Sequence, residues 1–258
     1  MKLLSLIGSI FLFLCTVSGF SQVYSPTEQN VKIDKVAVTA WVFSLEDEPL
    51  DALKDGWADY VKNTLDAKVK KNGRNGLIAK EISAPRICRH TGDLKAQFSE
   101  KHQQSTVAVA FLTGYDFSIN SQDNPTEAAN LRMFTKQFIK SYKTNQLDAL
   151  IAEEEKRERS LELDYERHER ERSHLTKHIT RLDRKITSEK TEDSKRFELN
   201  NEKVTAESRI RALDKIMANF KDELIVVSQT IQKYRADISH LDALFVEPLA
   251  DQEISPRR

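Results

Sequence analysis

The stretch that decides the fold is LDKIMANFKDELIVVSQTIQKYRADISHLDALF, residues 213 to 245. Apolar side chains recur there at Leu213, Met217, Phe220, Leu224, Val227, Ile231, Tyr234, Ile238, Leu241 and Phe245, in alternating steps of four and three. That spacing holds them on one stripe of an α-helix, the seam of a coiled coil. A stripe of this length exceeds the apolar patch that soluble monomers show to water. Either another part of the chain or another chain must cover it. The residues from Leu213 to Leu241 in this seam are therefore the candidate interaction residues.

Moving outward from the seam, no glycine follows Gly114 and no proline lies between Pro125 and Pro248. A tract that long without a helix breaker reads as long helix. Of the 100 residues from Leu147 to Val246, 22 are acidic and 20 basic. Glu153 with Arg157, Glu155 with Arg159 and Glu166 with Arg170 sit four apart in the favourable acid-first order, which describes a solvated helix. Further along, Leu175, Ile179, Leu182 and Ile186 resume a seam.

The polar segment from Thr187 to Glu198 offers a turn, with Asp193-Ser194 opening a second helix. If the chain folds back there, antiparallel partners have positions adding to about 385, about twice the position of the fold. That sum sets Ile151 against Tyr234, Leu161 against Leu224, Tyr165 against Phe220 and His168 against Met217. Glu154 opposite Ile231 and Arg172 opposite Leu213 are the mismatched pairs. The rival arrangement is one continuous helix that dimerises in parallel.

Before the arm, the pattern is β-α-β-β-β-α. Val31 to Leu45 reads as one strand, apolar on both faces; Pro49 opens a helix through Leu53, Trp57, Val61 and Leu65 that Asn72-Gly73 should end. Leu77 to Ala84, Leu94 to Glu100 and Thr106 to Thr113 follow as strands, and Asn124-Pro125 caps a helix carrying Leu131, Phe134, Phe138, Ile139 and Tyr142. The fold class expected is thus α+β: a four-stranded, mainly antiparallel sheet with two covering helices, then a long α-helical coiled-coil arm, an antiparallel hairpin.

The N-terminus carries Lys2, an apolar run from Leu3 to Leu14, and small residues from Thr16 to Ser21. That layout predicts a secretory signal over 1–21, too short to span a bilayer, and hence a periplasmic or other envelope destination with no membrane span after cleavage. A flexible leader over 22–30, an α+β domain over 31–143, an arm over 144–246 with its turn near 188–196, and a disordered tail over 247–258 complete the expected organisation. Cleavage removes Cys15 and leaves Cys88 without a disulfide partner.

Charge and motifs narrow the function. The chain has 40 basic and 40 acidic residues, which argues against a nucleic-acid partner. It carries no nucleophile elbow, phosphate loop, dinucleotide fingerprint or Cys-x-x-Cys pair, so no catalytic, cofactor or metal residue is assigned and a non-enzymatic protein is expected. Four features carry weaker signals. His174 and His178 have zinc-sharing spacing but lack a metalloprotease context, and Cys88 with His90 would share a side of an extended segment. Lys68, Lys70, Lys71 and Arg74 suit either a helix C-terminus or an anion patch. Trp41, Trp57 and Tyr115 suit either a core or a ligand face. The expected role is a structural or partner-binding envelope protein that binds a partner or itself through the arm. The alternative is a small-ligand or glycan-binding α+β domain displayed on a helical stalk.

Overall fold

The computed structural model describes residues 24–34, 36–102, 104–114 and 117–245. The expected signal, the tail and Tyr115 lie outside them. The order is β1 (Thr27–Ile33), β2 (Val36–Glu46), α1 (Leu50–Leu65), β3 (Lys70–Asn72), β4 (Gly76–Ile82), β5 (Gly92–Lys101), β6 (Gln104–Leu112), α2 (Pro125–Ile186) and α3 (Asp193–Leu244). The chain divides into two compact units, one comprising residues up to 145 with those from 240 onward, the other residues 146–239.

The first unit is α+β, but its antiparallel sheet has six strands rather than four, ordered β1-β2-β6-β5-β4-β3. Both extra strands correct the sequence reading. The run from Val31 to Leu45 is not one strand. Asp34 takes φ 53, a left-handed turn that Asp tolerates better than most residues, and the chain reverses so that Ile33 faces Val36 and Thr27 faces Val42. β1 therefore starts at Thr27, inside the stretch expected as a leader.

The second correction lies after α1, which ends at Leu65 because Asp66 is left-handed at φ 49. Lys70 and Lys71 consequently belong to the edge strand β3, hydrogen-bonded to β4, and not to a last helical turn. Lysines on an edge strand oppose unwanted pairing with other chains.

Strand alternation sorts the apolar residues onto two faces. Phe43, Leu45, Val107, Val109, Phe111, Leu94, Ala96 and Phe98 form one core with Leu53, Trp57 and Val61 of α1 and Leu131, Phe134 and Phe138 of α2. Trp57 meets Phe138 edge-on with centroids 4.9 Å apart, a favoured aromatic geometry. Gly56 is required here: a Cβ would lie 2.7 Å from the Tyr142 ring.

The other face carries a smaller buried cluster of Ile33, Val38, Ala40, Ala108, Ala110 and Leu112. The sheet covers it by curling. β2 pairs with β6 only from Trp41 onward, and the Thr39 amide instead donates to Ser118 Oγ at 3.0 Å. The freed hairpin bends over until Asp34 lies 3.8 Å from Lys95 Nζ and accepts a hydrogen bond from Asn72.

α2 begins at Pro125 as the sequence indicated, although Asn124 Oδ1 is buried without a hydrogen-bond partner. Asn120 organises this entry, its Oδ1 accepting from the Gln122 and Asp123 amides at 3.0 and 2.8 Å. Glu48, between β2 and α1, binds the α2 side chains Tyr142 at 3.0 Å and Lys143. Also within this unit, Lys140 pairs with Asp242 at 2.8 Å and the Tyr24 ring lies 6.3 Å from Phe245.

Candidate interaction surface

The second unit consists of residues 146–186 of α2 and 193–239 of α3. α2 stops at Ile186, and the Thr191 hydroxyl donates to the Lys185 carbonyl at 2.7 Å across the turn. Cross-helix contacts then run in opposite directions along the two helices. Asp183 meets Lys203 at 2.6 Å, His178 Nε2 meets Glu202 at 3.0 Å, and Arg172 meets Asp214 at 2.6 Å. Glu155 meets Arg235 at 2.9 Å. Their positions add to about 385, as an antiparallel hairpin requires.

The seam residues are placed accordingly. Leu213, Met217, Val227 and Ile231 are buried, and Phe220, Leu224, Tyr234 and Ile238 are half-buried. Ile151 and Leu161 of α2 pack with Val227, Ile231, Tyr234 and Ile238 in one cluster. Leu241, also buried, falls in the first unit. The seam continues back from Leu213 through Ala206 to Leu199, which are also buried; the sum of 385 sets Leu199 against Ile186. Lys203 intervenes between Leu199 and Ala206. Its ammonium, held charged by the Asp183 carboxylate, leaves the seam sideways to reach that partner.

Of the two mismatched pairs, the one at Arg172 is resolved by a similar sideways contact and the one at Glu154 is not. Arg172 swings to Asp214, the neighbour of Leu213, while His168 stacks on Phe220 with centroids 5.7 Å apart. Arg209 grips Glu171 with two nitrogens at 2.7 and 3.2 Å, and that hydrogen bonding holds the Glu171 carboxyl below its usual range. Glu154 Oε2 has no hydrogen bond, its nearest cation being Arg157 at 3.8 Å.

With the seam consumed inside the chain, any partner must meet the outward faces, and these differ. Fifteen positions of α2 between 152 and 184, and fifteen of α3 between 204 and 236, point directly away from the seam, and all are exposed. Nine on α2 are charged. Only four on α3 are: Arg211, Lys215, Asp222 and Lys233. On α3, Val204, Ile225 and Val226 are 56, 55 and 57 % exposed. The four-three spacing takes Leu224 and Val227 into the seam and passes over Ile225 and Val226 between them. The signal was two adjacent β-branched residues where a solvated helix carries charge.

The weaker sequence candidates separate. His178 is engaged by Glu202 while His174 is exposed, and no cluster of three or more metal-ligating side chains occurs among the described residues. Cys88 and His90 lie in irregular, bent chain just after a turn over 85–87 rather than in an extended segment; Cys88 is buried, and the His90 backbone amide reaches its sulfur at 3.4 Å. Trp57 is 1 % exposed, so it is core and offers no ligand face. Trp41 is also buried, with the Arg132 guanidinium 5.8 Å from its ring centroid. A depression of about 450 Å³ near the end of α1 is lined by Asp59, Lys62, Asp66 and Lys68 among others, without convergent aromatic groups.

No described helix is long and apolar enough to cross a membrane. Comparison with protein-family models, curated proteins and solved structures gave no match.

Proposed function

We propose that this is an exported, non-enzymatic envelope protein that serves as a scaffold, using the outward face of α3 to engage a protein partner. The observation that carries the reading is the charge-poor face with exposed Val204, Ile225 and Val226 on a helix whose seam is already occupied. A charge-poor face with exposed apolar residues, on an otherwise heavily charged pair of helices, is the composition of a binding surface. Export rests on the Lys2 and Leu3 to Leu14 pattern.

Cross-linking with mass spectrometry in the native envelope, together with N-terminal sequencing, tests both parts. The reading expects a processed N-terminus near residue 21 and cross-links from Lys215 or Lys233 that disappear in I225E/V226E. An unprocessed chain, or cross-links unchanged by that variant, would overturn it.

A further inference from the structure

We infer that the occupant of the α3 outward face is a second copy of this chain, docked antiparallel about a two-fold axis between Ala218 and Asn219. The inference rests on the reading of that face as a binding surface and adds its partner and orientation. Near the middle of the face Lys215 and Asp222 are the charged residue types, and neither has an ion-pair partner among the described residues. They are seven residues apart, about 10 Å along the helix, so they do not reach each other within one chain.

An antiparallel pairing centred between Ala218 and Asn219 sets Lys215 of each copy opposite Asp222 of the other, and the symmetry makes the contact twice. A parallel pairing in register would instead oppose Lys215 to Lys215 and Asp222 to Asp222.

The same axis accommodates the apolar residues. Ile225 falls opposite Ala212, a large side chain against a small one, and Val226 falls opposite the aliphatic stem of Arg211. Val204 meets the stem of Lys233, while Ala218 and Asn219 at the crossing are short enough for the helices to approach. The face from 204 to 236 is about 50 Å long, enough for about five turns on either side of the axis. The outward face of α2 has nine charges in fifteen positions around a single exposed large apolar residue, Leu163.

The test is sedimentation velocity on the full-length processed chain at about 100 μM, a concentration at which even weak micromolar dimers are populated. The wild type is expected to sediment as a dimer and I225E/V226E as a monomer with unchanged helical circular dichroism. K215E or D222K alone should raise the dimer dissociation constant about tenfold through two like-charge contacts, and K215E/D222K together should restore it. A wild type that stays monomeric, a dimer that persists in I225E/V226E, or a double reversal no better than the singles would overturn the inference. A monomer whose face still captures a different envelope protein sinks self-association alone. A face that captures nothing also sinks the proposed function.

Discussion

Replacing Leu213 with alanine measures how much the hairpin depends on its seam. Leu213 is fully buried, midway along the second unit and beside the Arg172 to Asp214 ion pair. Truncation removes its hydrophobic transfer energy and leaves a cavity, about 2–5 kcal/mol across buried leucines. Two helices in contact can close around a void more easily than a layered core, so we expect about 3 kcal/mol. The chain's two tryptophans, Trp41 and Trp57, both lie in the first unit, whereas α2 and α3 dominate the helical signal. Urea unfolding followed by circular dichroism and by tryptophan fluorescence thus reads the units separately. With a slope near 1.5 kcal/mol per molar urea, the helical midpoint should fall by about 2 M and the fluorescence midpoint much less. L163A, at a residue 66 % exposed, serves as the control and should move neither midpoint measurably. A helical midpoint in L213A no lower than in L163A would refute an internally packed seam.

Three further outcomes concern the first unit. D66G should stabilise it by about 0.5–1 kcal/mol, seen as a higher fluorescence midpoint, because glycine removes the left-handed penalty and an anion at a helix C-terminus. G92A should destabilise it by about 1–3 kcal/mol, since an added Cβ would meet the Leu112 carbonyl oxygen at 2.4 Å and the Phe111 ring at 2.5 Å. Burial pushes the Tyr60 hydroxyl, which donates to the Phe134 carbonyl at 3.2 Å, up to about 12 from 10.0. A raised folded value means its stabilisation is complete below pH 10 and is lost as pH rises from 10 through about 12. After discounting for partial exposure the loss is about 2 kcal/mol, and Y60F should not show it.

Local rules carried much of the architecture. Pro125 marked the start of α2, the four-three spacing marked the seam of α3, and the polar tract after Ile186 marked the reversal with about the register observed. What escaped was the sheet edge, where no glycine or proline punctuates the chain. Asp34 and Asp66 both take left-handed backbone that sequence pattern assigns by default to glycine, so one strand was read where a hairpin folds, and α1 was extended over β3. Glu81 and His102 adopt positive φ in the same way, the first within the irregular stretch of β4 between Ala79 and Ile82. The apolar second face of β2 was visible, but its cover comes from the curl of the sheet, a tertiary effect without a local signature. The proposed interaction face was hidden differently: its residues were plain, yet their meaning depended on knowing that α2 had already consumed the seam.

That consumption is the central claim, and the distance between Asp148 and Asp237 tests it most directly. Both are exposed and flank the seam on opposite helices. Spin labels at D148C and D237C, in a C15S/C88S background diluted with unlabelled chain, report the intrachain distance by electron double resonance. With helix axes about 8–10 Å apart, the hairpin predicts a separation of about 10–25 Å once label arms are included. A continuous helix dimerising in parallel would set these positions about 130 Å apart, and the absence of any short intrachain distance would contradict the account.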